Sequence, residues 1–165
     1  MQIRPTRLPT SVRMSLLVVG VLVLGGAGGV GIAWHVNRQK TELPAAVTQK
    51  VAFKPSVTKL PDGFTIDAAS AETEDGVLAY VAKNAAGESL VVSEQPKPTA
   101  KKIASFETEN IQQSQSVSGA RYPSMIGDAP VGGKIVSITT DTTWLIISST
   151  SAQAEANLRF IAINL

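Results

Sequence analysis

The chain has 165 residues, of which 15 are Lys or Arg, 13 are Asp or Glu, one is His and none is Cys. The absence of cysteine excludes disulfide bonds, a lipid-modified N-terminal cysteine and cysteine-ligated zinc. The one histidine, His35, directly follows an apolar segment, so a histidine-based catalytic triad in the C-terminal part of the chain is also excluded. We expect no cofactor and no metal.

The net charge of +2 is divided unevenly along the chain. Residues 1–54 contain seven Lys or Arg and one Glu, whereas residues 55–165 contain eight Lys or Arg and twelve Asp or Glu. An acidic C-terminal part with few aromatic residues is a poor binder of nucleic acid, so we expect none among the partners. The basic residues beside the apolar segment either meet anionic lipid headgroups or serve only to set topology and solubility.

The first element in chain order is the apolar segment at residues 14–34, a run of 21 residues without a charge. A helix of about 20 apolar residues spans the ~30 Å hydrocarbon core of a bilayer. The run also contains "GAGGVG" at 26–31, which matches the dinucleotide-binding pattern. That pattern requires a second strand ending in an acidic residue about 20 positions later, and none follows here. The segment is therefore predicted to be a transmembrane helix.

Small residues in this predicted helix have the spacing of a helix–helix contact. Gly25 and Gly29 form a G-x-x-x-G pair, which Ala27 and Gly31 repeat two positions later. Self-association through this face is one expected interaction. The residues predicted to lie at the membrane interface are Arg13, Trp34, His35, Arg38 and Lys40.

The flanks predict the topology. Residues 1–13 carry three arginines and no acidic residue, as in a cytoplasmic tail, and a long following domain is translocated largely regardless of its charge. We therefore expect an uncleaved signal anchor and an extracytoplasmic domain at the cell membrane. A cleaved signal peptide is the alternative, with Gly31-Ile32-Ala33 as its small-x-small site, although its apolar region is normally ~7–15 residues.

The composition after the apolar segment predicts a tether followed by one domain. Residues 35–58 mix Pro, Lys, Gln and Thr with isolated apolar residues, which is typical of a tether. From residue 59, a Pro-Asp-Gly turn leads into a strand at 64–67, and "GVLAYVAK" and "ESLVVSE" form a hairpin across "NAAG". A polar segment with two prolines then precedes the next element.

Two helices and a second hairpin complete the predicted domain. Thr99 caps a helix over 100–113 that places Ile103, Phe106 and Ile111 on one face. Residues 139–142 join "KIVSI" to "TWLIIS", two strands apolar on both faces and hence central. Ser151 or Thr150 caps a helix from residue 152 with Ala156, Phe160 and Ile163 on its packing side. The fold class is α+β: a mostly antiparallel sheet of five or six strands, with a mid-chain and a C-terminal helix packed on it.

Three stretches carry a resemblance: "KLPDGFTI", "IGDAPVGGKIVSI" followed by "TWLIISS", and the closing "ANLRFIAINL". Together they resemble small bacterial envelope domains, namely the lipoprotein-carrier-like domains appended to anti-sigma factors and the PsbP-like domains. The resemblance covers residues 59–165. It implies an exported, non-catalytic accessory domain and assigns no functional residue.

Four residue groups in the domain are candidate sites. Ser124 followed by Met125, with Lys134, has the residue types of a Ser–Lys dyad, although a membrane-anchored peptidase has a further serine and a distant lysine. The acidic residues of "AETEDG" are too few for a calcium loop and predict a solvated turn. Lys97, Lys101 and Lys102 form a basic patch at a helix start, which predicts a solvated face or, as the alternative, contact with an anionic polymer or lipid headgroups. Trp144 and Tyr122 either line a groove or pack.

These observations predict a single-pass, membrane-anchored binding or scaffolding protein of an envelope assembly. Its expected partners are membrane lipids and another envelope protein, and we expect no catalytic role. One alternative is a carrier or sensor of an apolar ligand at the membrane surface, which requires a cavity between the sheet and the helices. The other is a membrane-anchored Ser–Lys hydrolase, which requires a buried lysine within reach of Ser124.

Overall fold

The computed structural model describes residues 42–165. The cytoplasmic tail, the transmembrane helix, its contact residues Gly25, Ala27, Gly29 and Gly31, and the interface residues Arg13, Trp34, His35, Arg38 and Lys40 lie outside the described residues. Those interpretations remain predictions. None of the helices between residues 42 and 165 combines the length and the apolar character needed to cross a bilayer.

Seven strands form one antiparallel sheet in the order β1-β2-β3-β7-β6-β5-β4. The strands are β1 (Thr65–Glu74), β2 (Val77–Lys83), β3 (Ser89–Pro96), β4 (Gln112–Ser116), β5 (Ser124–Asp128), β6 (Lys134–Thr139) and β7 (Thr143–Ser149). The helices are α1 (Ala45–Thr48), α2 (Ala100–Asn110) and α3 (Ala154–Asn164). The α+β class is confirmed, together with the two predicted hairpins, β2–β3 and β6–β7.

The sheet has seven strands, so the prediction of five or six was wrong. The strands that the sequence pattern does not indicate are β4 and β5. All five residues of β4, "QQSQS", are polar and exposed, so no apolar alternation marks the strand. Strand β5 is only five residues long and contains Gly127, a residue depleted in strands. Both pair because β6 provides a buried neighbour for β5, and β5 in turn provides one for β4.

Both edge strands are bulged. The register of β1 against β2 shifts between Asp67 and Glu72, and that of β4 against β5 shifts between Gln112 and Gln115. In the second bulge Gln113 has a φ of 49°, a conformation uncommon for a non-glycine residue. The ladder is therefore interrupted at both margins of the sheet.

The two faces of the sheet carry different layers, and we name them by residues of β7. The Ile147 face includes Leu145 and Ile147, which belong to the main core together with Leu158 and Ile161 of α3. The Trp144 face includes Trp144 and Ile146, and α2 packs there through a contact between Phe106 and Trp144. Since all of β7 is buried, this strand supports a helix on each side.

The predicted packing side of the C-terminal helix was wrong. The buried residues of α3 are Ala154, Leu158, Ile161 and Ala162, whereas Ile163 is 48% exposed. Both sets fit a helical spacing of three and four residues, but only the observed set contains Leu158 and leaves Arg159 free to pair with Glu155 at 2.9 Å.

Residues 42–64 pack against the core on the Ile147 face. Val57, Leu60 and Phe64 are buried in the core cluster, and Val47 and Phe53 pack against it while partly exposed. From residue 42 onward, the stretch interpreted as a tether thus contacts the folded domain. The apolar residues lie singly among prolines and lysines, a pattern that sequence periodicity does not detect. We call residues 42–64 the N-terminal strap.

A buried carboxylate fixes the strap to the sheet. Glu94 of β3 has no exposed surface, and its oxygens accept hydrogen bonds from the Ser56 backbone N–H at 3.0 and 3.1 Å and from the Ser56 hydroxyl. The Ser56 hydroxyl also lies 3.0 Å from Oγ1 of Thr143. Burial raises the pKa of the Glu94 carboxyl, and the hydrogen bonds from Ser56 offset this in part. Burial, and then the Glu94 charge, raise the pKa of Tyr80.

We predict that Glu94→Gln and Glu94→Ala differ in stability. The raised pKa means that the native state binds more protons than the unfolded state above the ordinary pKa of a Glu, so wild-type stability falls as pH rises through this window. The Gln variant keeps an acceptor without the charge and should gain on the wild type as pH rises. The Ala variant leaves the Ser56 N–H unpaired and should lose about 1–3 kcal/mol.

The measurement is urea unfolding of the wild type and both variants between about pH 4 and pH 8. A difference between wild type and Glu94→Gln that stays constant over this range would contradict the linkage. A Glu94→Ala variant as stable as Glu94→Gln would show that the Ser56 hydrogen bonds do not hold the strap.

Candidate binding groove

The candidate site begins with the way α2 starts. Thr99 is its N-cap, and Oγ1 of Thr99 accepts a hydrogen bond from the Lys102 N–H at 3.4 Å, as the sequence predicts. The first turn holds Lys101 and Lys102 and no acidic residue. Cations at a helix N-terminus oppose the helix dipole, where acidic residues would stabilise by about 0.3–1 kcal/mol each. The two lysines therefore place positive charge at the N-terminus of α2 at some cost in helix stability.

A chain of polar contacts holds α2 on the Trp144 face. The Phe106 and Trp144 rings meet edge to face, with centroids 5.0 Å apart. The Trp144 indole Nε1–H donates to Oγ of Ser137 at 2.8 Å, and the Ser137 hydroxyl donates to the Glu107 carboxylate at 2.7 Å. Trp144 is only 2% exposed, so of its two predicted roles the structure shows packing.

The second wall is the loop at residues 117–123, which joins β4 to β5. Its closure is fixed by a hydrogen bond from the Val117 N–H to the Ser124 carbonyl at 2.9 Å. The Arg121 guanidinium lies over the Tyr122 ring, 5.2 Å from its centroid. Stacking on an aromatic ring restricts a long side chain that would otherwise sample many rotamers. The loop thus presents an oriented guanidinium.

Between α2 and this loop lies an open groove of about 630 Å³. Its floor is apolar and includes Ile103, Val117 and Met125, and Ala104 and Tyr122 also contribute to the lining. Lys97 and Arg121 lie on its border. The volume falls within the ~300–1,000 Å³ of ligand sites in proteins. We call this feature the α2 groove.

Two exposed cations, Lys97 and Arg121, border the α2 groove, and two more, Lys101 and Lys102, lie in the first turn of α2 beside the lining residue Ala100. None of them forms an ion pair with the residues that the structure describes, whereas Lys83, Lys134 and Arg159 each do. The Glu107 carboxylate is also a lining group, but it accepts the hydrogen bond from Ser137. The border of the groove therefore carries net positive charge that its own surroundings leave available.

The structure does not bring Ser124 and Lys134 together. The Ser124 hydroxyl donates to the Tyr122 carbonyl at 2.8 Å. Lys134 pairs in register with Asp128, four residues along β5 from Ser124, a separation of about 13 Å. Its ammonium is 2.7 Å from the Asp128 carboxylate, and this hydrogen bond raises the pKa of Lys134. A Ser–Lys nucleophile requires the opposite, a desolvated lysine of lowered pKa.

The acidic stretch also differs from the predicted loop. Glu72 and Glu74 belong to β1, and only Asp75 and Gly76 form the turn to β2, both with positive φ. Across residues 42–165, no cluster of three or more His, Cys, Asp or Glu side chains has the arrangement of a metal site. All three acidic residues are exposed.

The structure brings together Lys97 and Tyr122, which belong to two separate candidate groups in the sequence, and adds Arg121, which is not among the predicted site residues. Arg121 lies in "SGARYP" between two strands that the sequence pattern does not reveal. An arginine directly before an aromatic residue and a proline in a loop was the available indication, since such loops place side chains at the surface. Comparisons with protein-family models, curated proteins and solved structures found no match to this chain, so the resemblance to small envelope domains stays a prediction.

We predict that Ser137→Ala loosens α2 from the sheet. The substitution removes the group that accepts from Trp144 and donates to Glu107, and leaves the buried Trp144 N–H and the half-buried Glu107 carboxylate without it. The expected loss is about 1–3 kcal/mol of unfolding free energy, measured by urea unfolding. Ser105→Ala, at an exposed position of the same helix, is the control and should change stability by less than about 0.5 kcal/mol. Equal effects of the two substitutions would contradict this account.

Proposed function

We propose that this protein is a membrane-anchored binding or scaffolding protein of a cell-envelope assembly, whose domain faces away from the cytoplasm and holds an acidic surface of a protein partner. The observation that supports the proposal is the α2 groove, where two available cations, Lys97 and Arg121, border an apolar floor. An apolar centre with a polar border is the usual anatomy of a protein–protein contact.

The chemistry of the border favours carboxylates as the groups bound. A guanidinium offers parallel N–H donors that match a carboxylate, and Arg is enriched where proteins meet. Arg121 is already oriented by Tyr122, which lowers the entropy lost when it forms a pair. The lysines add attraction that speeds association, since complementary charge raises association rates.

The shape of the groove favours a surface over an enclosed small molecule. The carrier alternative requires a cavity between the sheet and the helices, but the α2 groove opens to solvent beside α2. On the Ile147 face, the space between the sheet and α3 holds the buried core side chains. A partner segment can lie across an open groove, whereas an apolar ligand there would stay largely in water.

The predicted anchor at residues 14–34 gives the proposed binding its location. Confining two proteins to one membrane raises their effective concentration, so a weak contact becomes sufficient. A contact made of exposed charges is weak and is screened by salt. The predicted anchor and the groove are therefore consistent with each other.

The topology can be tested with single cysteines, because the chain contains none. Val131, in the turn between β5 and β6, is 58% exposed. We expect Val131→Cys to react with a membrane-impermeant maleimide in intact cells, and Thr10→Cys, in the predicted cytoplasmic tail, to react only after lysis. Labelling of Thr10→Cys alone in intact cells would reverse the topology, and protection of both would place the whole chain inside.

The binding site can be tested by photo-crosslinking in living cells. A photoreactive amino acid at Ala104, an exposed lining residue, should capture a partner, and the same amino acid at Val131 should not. Adding Lys97→Glu and Arg121→Glu should lower capture from Ala104 at least about tenfold, since like charges now face each other. Capture that is equal from both positions, or unchanged by charge reversal, would overturn the groove as the binding site.

A further inference from the structure

We propose that the partner held in the α2 groove is a second copy of this chain, whose acidic β1–β2 hairpin lies against the cationic border, and that the contact is reciprocal. The inference rests on the proposed binding function and names the occupant of that same site. The hairpin residues concerned are Glu72, Glu74 and Asp75.

The hairpin carries the charge that the groove lacks. Glu72, Glu74 and Asp75 are exposed, and none of them forms an ion pair within residues 42–165. Three available carboxylates thus lie at one tip of the domain, while two available cations border the groove and two more lie in the first turn of α2. The carboxylates and the cations are each clustered, whereas a typical surface intersperses the two signs of charge. Neither cluster forms an ion pair within residues 42–165.

The hairpin and the groove lie on the same face of the sheet. Glu72 pairs in register with Ala79 and Glu74 with Val77, and Ala79 pairs through Ser93 to Ile146 of β7. Directly opposite residues of an antiparallel pair point to the same side. The two glutamates therefore lie on the Trp144 face, where α2 also packs.

They also lie at the same end of the strands. Leu78 pairs with Glu94, so the start of β2 lies beside the end of β3. The β1–β2 turn therefore lies at this end as well, and Lys97 directly follows β3. Thr139 at the end of β6 and Ser124 at the start of β5 line the groove at this same end. The hairpin is four to five strand spacings, on the order of 20 Å, from Met125 and Arg121 on the β5 side of the groove, so it does not reach them in its own copy. Lys97 lies nearer, but no ion pair joins it to the hairpin.

This placement suits a two-fold axis. When two copies face each other through the Trp144 face, a rotation that seats one hairpin against the opposite groove seats the other in the same way, which closes the contact at two chains. The helix α2 covers only part of the face, and Val77 beside the hairpin turn and Val91 farther along the same face remain half exposed. The second copy would cover these residues.

The charge pattern argues against the chain's own N-terminal segment as the occupant. Residues 1–41 contain five Lys or Arg and no acidic residue, so the cationic border would repel them. Because the pairing depends on exposed charges, we expect the contact to be weak and salt-sensitive.

The experiment uses the full chain in detergent micelles with Gly25→Leu and Gly29→Leu, which remove the predicted helix–helix contact. One population carries Val77→Cys beside the hairpin and the other carries Ala104→Cys in the groove, and a short bismaleimide joins them. We expect a 77–104 crosslink that decreases with added salt. Val131→Cys in place of Val77→Cys is the control at the opposite end of the sheet and should give no product.

Charge exchange then tests the pairing itself. Glu72→Lys with Glu74→Lys in both populations, or Lys97→Glu with Arg121→Glu in both, should lower the 77–104 product at least about tenfold. Mixing a chain with the first pair of substitutions and Val77→Cys with a chain carrying the second pair and Ala104→Cys should restore it. Restoration also shows that each variant is folded.

A mixture that fails to restore the product, or a product as abundant with Val131→Cys, would overturn the second copy as occupant. The outcome is separable from the proposed function. Capture of a different protein by the photoreactive group at Ala104 would leave the groove as the binding site and remove the second copy. Capture of nothing would remove both.

Discussion

Burial of β7 on both faces is the constraint on which the rest of this structure depends. All seven residues of the strand are buried, and they alternate between two layers. Leu145 and Ile147 pack with Leu158 and Ile161 of α3, while Trp144 anchors α2 on the other side. A strand that is apolar on both faces must be covered twice, and in this chain each cover has a consequence: α3 and the strap complete the core, and α2 forms one wall of the groove.

The two covers differ in how they are held. On the Ile147 face the contact is apolar, apart from Glu94, whose buried carboxylate binds the strap through Ser56. On the Trp144 face α2 buries only Ile103 fully, and it depends on the ring contact and the hydrogen bonds through Ser137. An α2 held by a few specific contacts leaves space beside it, and the 117–123 loop bounds that space as a groove. A more apolar helix would pack closer and close it.

Much of the fold could be predicted from local patterns, and the rest could not for identifiable reasons. Strands β2, β3, β6 and β7 have β-type apolar runs and α2 has a capping threonine, so the sequence predicts all five elements. The polar strand β4 exists only because β5 offers it a partner, and the strap only because the sheet offers it a surface. The groove could not be predicted because its residues are distant in the sequence. Lys97 and Arg121 are 24 positions apart and converge through the sheet topology, which no local pattern encodes.

The bulges in β1 and β4 have a consequence for how this domain behaves when crowded. A regular edge strand is a template on which further strands, and eventually fibrils, can grow. Here both edges break their hydrogen-bond ladder, and the outermost strand β4 contains only Gln and Ser, without apolar side chains for a dry stacked interface. Growth by strand addition is thus disfavoured at both margins of the sheet. The chain can accumulate at high local density without its sheets merging, and any association is left to side chains on its faces and turns.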